Sequence, residues 1–128
     1  MQITHVALWT QNLVATTKFS KTYFDCSIGE EYASLNRKGF KSRFVKFQNG
    51  PTIEMMTGPW LKRENTTDIE RVGWAHIAIS LGSEESVREL ATRFDQDGLL
   101  VSQPRFTGDG FYEAVAKSPD DILVEITS

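Results

Sequence analysis

The chain has 128 residues, 40% of them hydrophobic and 24% charged, enough for one domain with a sizeable core. Its 14 basic and 17 acidic residues leave a net charge of −3, which gives no basic footprint for nucleic acid or an anionic membrane. No apolar run approaches the roughly 20 residues that span a bilayer, and a single cysteine, Cys26, excludes an internal disulfide. Met1-Gln2 runs directly into the first predicted strand and leaves no room for a signal peptide, so a cytoplasmic setting is expected. In that setting the glycosylation pattern Asn65-Thr66-Thr67 is a chance match.

Ile3 to Trp9 alternates as a strand, with Ile3, His5, Ala7 and Trp9 on one face and Val6 and Leu8 on the other. Asn12 is placed to cap a helix in which Leu13, Thr16, Phe19 (or Ser20) and Tyr23 fall at helical spacing, ending near Phe24. A weaker strand is predicted over Glu30 to Ser34, a turn over Asn36 to Gly39, and a third strand over Phe40 to Gln48. Asn49-Gly50 is a hairpin signal leading into a fourth strand, Pro51 to Thr57. Gly58-Pro59 breaks it, and a charged linker covers about residues 59–72. The second half repeats the order: a strand over Trp74 to Leu81, and a helix capped by Ser83 with the stripe Val87, Leu90, Ala91 and Phe94, ended by Asp97-Gly98. A strand follows over Leu99 to Gln103, then a loop over Pro104 to Gly110, a strand over Phe111 to Lys117, a turn at Pro119-Asp120, and a last strand over Ile122 to Thr127. Each half reads β-α-β-β-β, giving module 1 (about residues 1–58) and module 2 (about residues 73–128) of one domain, residues 1–128.

The two halves share a period. His5 and His76, the only histidines, lie 71 residues apart (76 − 5), and Glu54 and Glu125 lie at the same offset (125 − 54). Ala7 and Ala78, Gly39 and Gly110, Phe40 and Phe111, and Lys46 and Lys117 match at that offset too. One strand histidine is ordinarily a hydrogen-bonded core residue, and one strand glutamate is ordinarily on a wet face. Neither bland reading explains two histidines and two glutamates on one period, each glutamate between apolar neighbours, because a buried carboxylate needs a partner. Two imidazoles and two carboxylates suit Zn²⁺, Ni²⁺, Co²⁺, Mn²⁺ or Fe²⁺, so His5, Glu54, His76 and Glu125 are the candidate metal ligands. With the first and fourth strands adjacent, each histidine would sit directly beside its glutamate.

The duplicated module with this His-Glu-His-Glu set resembles the glyoxalase I/vicinal-oxygen-chelate superfamily over essentially the whole chain, and most of all bacterial glyoxalase I. Gly39-Phe40, Ile53-Glu54-Met55, Trp74-Ala75-His76-Ile77-Ala78 and the stretch from Thr107 to Glu113 carry the resemblance. It implies an α+β fold of two tandem βαβββ modules forming a half-open, cup-shaped mixed sheet with helices on the outer face, and a homodimer. It implies a metal-dependent lyase or isomerase that moves a proton through a metal-stabilised enediolate, acting on a small molecule such as a glutathione or other thiol adduct. Glu54 or Glu125 would carry the proton, and the resemblance favours Glu125. Ser118-Pro119-Asp120-Asp121 departs from the usual Asp-Pro-Asp-Gly, and Phe19-Ser20 from the usual aromatic pair.

Trp9, Trp60, Trp74, Phe111 and Tyr112 are candidates for an apolar cleft, with ordinary core as the competing reading. Arg105 and Arg43 are candidates for an anionic substrate group, with a solvated surface as theirs. The substrate-binding set is therefore Trp9, Phe111, Tyr112 and Arg105. A dioxygenase or thiol transferase would use three protein ligands, one fewer than this chain offers. An epimerase is a further possibility on the same scaffold, and an antibiotic-sequestering protein would lack the ligand set altogether. Cys26 has no histidine near it in sequence and reads as structural. The glycines around Thr107 precede a strand rather than a helix, so they read as a turn and not a phosphate loop.

Overall fold

The Asn12 side chain accepts the Ala15 N–H at 2.9 Å, and the Ser83 side chain accepts the Ser86 N–H at 3.2 Å. These bonds start the two helices, α1 (Leu13–Tyr23) and α2 (Glu84–Gln96), where the sequence places them. Glu84 and Glu85 add favourable negative charge to the first turn of α2. The computed structural model describes residues 2–62, 73–108 and 110–128. Most of the predicted linker, from residue 63 to 72, and the Asn65-Thr66-Thr67 pattern within it lie outside the described residues, as does Asp109.

The chain divides into two compact units, Met1–Asn65 and Thr66–Ser128. The first contains β1 (His5–Trp9), α1, β2 (Cys26–Ile28), β3 (Tyr32–Ala33), β4 (Lys41–Phe47) and β5 (Thr52–Thr57). Its sheet has the order β1-β5-β4-β2, with β3 also paired to β4. The β1–β5 pair is parallel and the others are antiparallel. The second unit contains β6 (Ile77–Ser80), α2, β7 (Leu100–Phe106), β8 (Tyr112–Lys117) and β9 (Leu123–Thr127), ordered β6-β9-β8-β7 with only β6–β9 parallel. Both units are α+β with open, mixed sheets. Their registers repeat: Val6 pairs with Ile53 and Ala7 with Glu54, as Ile77 pairs with Val124 and Ala78 with Glu125.

Each helix covers one face of its own sheet. Leu13, Thr16, Phe19 and Ser20 of α1 are buried with Val45, Ile53 and Met55. Val87, Leu90, Ala91 and Phe94 of α2 are buried with Ala114, Ala116, Val124 and Ile126. Strand alternation turns Glu54 and Glu125 to the opposite faces.

Three elements differ from the sequence reading. Of the strand predicted over Glu30 to Ser34 only β3 (Tyr32–Ala33) forms, and β2 (Cys26–Ile28), which the sequence reading lacks, precedes it; both pair with β4. The strand predicted from Trp74 is shorter, so His76 immediately precedes β6. β7 continues through Pro104 to Phe106, because it is a sheet edge with register shifts and Pro104 need not donate to a neighbour. At the last turn, Asp120 and Asp121 adopt φ of 67° and 57°. Asp121 thus takes the left-handed conformation that the glycine of the more usual Asp-Pro-Asp-Gly supplies at lower cost.

Candidate functional site

His5 Nε2 lies 4.0 Å from Glu54 Oε2, and His76 Nε2 lies 3.4 Å from Glu125 Oε2. Each unit therefore carries one imidazole–carboxylate pair on the sheet face away from its helix. The two residues of a pair are not directly opposite each other, as the sequence reading had them. Glu54 pairs with Ala7 and Glu125 with Ala78, each alanine two residues beyond its histidine. With only a methyl group opposite the carboxylate, the imidazole leans diagonally across the pleat to reach it.

The glutamate side chains are only 19% and 15% exposed, whereas the histidines are 46% and 43% exposed. Carboxylates this covered need a cationic or hydrogen-bonding partner, and the open imidazole side leaves an approach from solvent. Thr4 Oγ1 stands 3.2 Å from His5 Nδ1, so a hydrogen bond there directs Nε2 toward Glu54. The Phe44 ring, opposite Glu54 in the register, meets the His5 ring edge-on at 5.8 Å.

The donor chemistry fits a divalent ion. Nitrogen and oxygen ligands sit about 2.0–2.2 Å from Zn²⁺, so two on one ion are separated by roughly 3–4 Å; both pairs fall in that range. Among the described residues no group of three or more His, Cys, Asp or Glu side chains converges. Each unit by itself carries one imidazole and one carboxylate.

The residues expected to bind substrate are differently placed. Trp9 shares the His5 face of β1, at edge-on distances of 6.0 Å from Phe40 and 6.5 Å from Trp60. Phe111 is half exposed and immediately precedes β8. Tyr112 alternates with Glu113 onto the α2 side of its sheet, where the Arg88 guanidinium lies 5.4 Å from its ring. A side-chain hydrogen bond with Tyr112, followed by the one to Glu84, raises the Arg88 pKa. Arg105 is engaged with its neighbours: Nη1 donates to Ser102 Oγ at 2.6 Å, and Nη2 is 3.5 Å from Glu113 Oε1. Arg43 stands 3.9 Å from Glu31. Burial pushes the Cys26 thiol pKa up, as befits a structural cysteine rather than a nucleophile.

Sequence reasoning missed Glu113, a buried carboxylate on the Glu125 face. Its place in the strand alternation and the nearby Arg105 were the available signals. It also missed Arg37, whose partners come from three separate segments.

No protein-family model matches the sequence, and no curated protein matches it. Solved structures do. The glyoxylase/bleomycin resistance protein/dioxygenase domain from Frankia sp. EAN1pec is 15% identical with a TM-score of 0.81, over 99% of this chain and 96% of that one. A possible glyoxalase from Bacillus cereus is 23% identical with a TM-score of 0.71, over 100% and 99%. Glyoxalase I from Zea mays is 20% identical with a TM-score of 0.77, over 98% of this chain but 44% of its own. The chain thus spans less than half of the Zea mays protein. Its fold is that of the glyoxalase/bleomycin resistance/dioxygenase proteins.

Proposed function

We propose that this chain is a metal-dependent lyase or isomerase of glyoxalase type, in which His5, Glu54, His76 and Glu125 together hold one divalent ion (Zn²⁺, Ni²⁺, Co²⁺, Mn²⁺ or Fe²⁺). The observation that carries the reading is the twin His–Glu pair, with the same alanine opposite each glutamate. When bound, the ion supplies Lewis-acid stabilisation of negative charge developing on adjacent substrate oxygens. The chain's own part is proton transfer. Glu125, whose side chain is 15% exposed, takes a proton from a substrate carbon and returns it to the neighbouring carbon. Glu54 is the alternative carrier. The proposed substrate is a small molecule such as a glutathione or other thiol adduct, and the proposed setting is a cytoplasmic homodimer. Among the described residues, no helix is long and apolar enough to cross a membrane.

The test is turnover of glutathione hemithioacetals by protein loaded with Ni²⁺ or Zn²⁺. Glu125→Gln keeps size and a potential oxygen ligand but removes basicity, so kcat should fall by about 10²–10⁴ with far less change in KM. Full kcat in both Glu125→Gln and Glu54→Gln refutes a carboxylate base. A parent protein that binds substrate analogues without turnover, with or without metal, refutes the enzyme.

A further inference from the structure

Arg37 lies in the turn between β3 and β4, and its guanidinium carbon stands 4.2 Å from the ring centre of Trp60, 5.4 Å from Trp9 and 5.6 Å from Phe40. The turn is held by its own bonds. The Arg37 N–H donates to Ser34 Oγ at 3.0 Å, and the Phe40 N–H donates to the Arg37 carbonyl at 2.9 Å. Gly39 has φ of 85° and so little room that an added Cβ would fall 2.7 Å from Pro59. Gly58 is likewise required, since a Cβ there would run into the Trp60 indole. These constraints hold Pro59 and Trp60 close against the turn, with the guanidinium carbon within 6 Å of all three rings.

Ring contacts of this kind engage a guanidinium while leaving in-plane N–H groups to bond, and a planar fork of N–H donors matches the two oxygens of a carboxylate. Arg43 and Arg105 have carboxylate neighbours; Arg37 has none among the described residues. The three rings already lie against a cation, so a second cation is disfavoured and an anion is favoured. Trp9 and Trp60 remain 41% and 39% exposed, leaving apolar surface beside the guanidinium for a flat ligand body.

We propose that Arg37, with Trp9 and Trp60, forms a recognition subsite for a carboxylate carried on a planar apolar group. The subsite lies on the His5 face of β1, four residues along the strand from His5 and so roughly 13 Å away. It is built within one unit and uses none of the proposed metal donors, so it stands apart from the metal reading.

The full chain, as purified and after metal removal by dialysis, is titrated with benzoate and, separately, with its neutral counterpart benzamide. The three indole N–H signals are followed by NMR and assigned with Trp→Phe variants. Benzoate should shift Trp9 and Trp60 equally in both preparations and leave Trp74, 94% exposed in the other unit, unmoved. Benzamide should bind at least tenfold more weakly, and Arg37→Gln should weaken benzoate by about 10- to 100-fold with the rest of the spectrum intact. The proposal is overturned by equal binding of the two probes, by undiminished benzoate binding in Arg37→Gln, or by a response seen only when metal is present.

Discussion

Ala7 and Ala78 decide how each histidine reaches its glutamate. Each lies opposite the carboxylate in a parallel strand pair, so any larger side chain would occupy the space through which the imidazole leans. Ala78→Leu should preserve the β6–β9 pairing yet lower Zn²⁺ affinity by about 10- to 100-fold, the usual cost of disturbing a ligand's orientation. Calorimetric titration reads this directly, and unchanged affinity would mean that His76 and Glu125 do not act together. The four candidate donors were legible in the sequence because their period survives without a gap. The diagonal offset was not, since a period of 71 reports which residues correspond but says nothing of how first and fourth strands are staggered. The Arg37 cluster was hidden for a related reason. Trp9, Arg37, Phe40 and Trp60 lie on a strand, a turn and the start of the linker, and no spacing rule joins them.

At the level of elements, helices were easier to read than strands. Asn12 and Ser83 announce the starts of α1 and α2, and the 3.6-residue stripe announces the buried face. Strand limits depend on partners the sequence does not reveal: Pro104 reads as a stop in the sequence, and only the sheet order shows that β7 is an edge that tolerates it. β3 is a two-residue strand whose neighbouring Glu31 bridges to β4, with Lys41 Nζ at 2.7 Å and Arg43 Nε at 3.9 Å. The Lys41 hydrogen bond, aided by the charges of Lys41 and Arg43, holds the Glu31 pKa below its usual value. A depressed acid stabilises the fold above its unfolded pKa and loses that contribution as pH falls through the folded one. Glu31→Gln should therefore lower the melting temperature slightly at neutral pH, with the gap to the parent closing as pH drops below the glutamate range. A gap that persisted in acid would assign the effect to packing rather than charge.

For the molecule as a whole, the decisive quantity is how many ions it binds. One imidazole and one carboxylate make a weak site alone, whereas four donors make a strong one, so the proposed function requires a single ion shared by both pairs. If the four residues serve a single ion, elemental analysis after loading with Ni²⁺ or Zn²⁺ should give close to one per chain. A value near two would mean that each pair holds its own ion, and the shared site would fall. Metal that binds only the folded chain stabilises it by mass action, by about 2.7 kcal/mol when free ion stands at 100 times its Kd. For a chain of this length that corresponds to a rise in Tm on the order of 10 °C, which a chelator should reverse. Glu54→Gln and Glu125→Gln should each show a smaller chelator response than the parent at limiting metal, because in the proposed site each replaces a charged donor with a weaker neutral oxygen that still holds the ion at saturation. Glu31→Gln, whose carboxylate is already committed to Lys41, should keep the parent's response. If only one of the two donor variants showed the smaller response, the other glutamate would be a neighbour of the site rather than a ligand, and the remaining set of two histidines and one carboxylate would favour an oxygenase-like centre over the lyase.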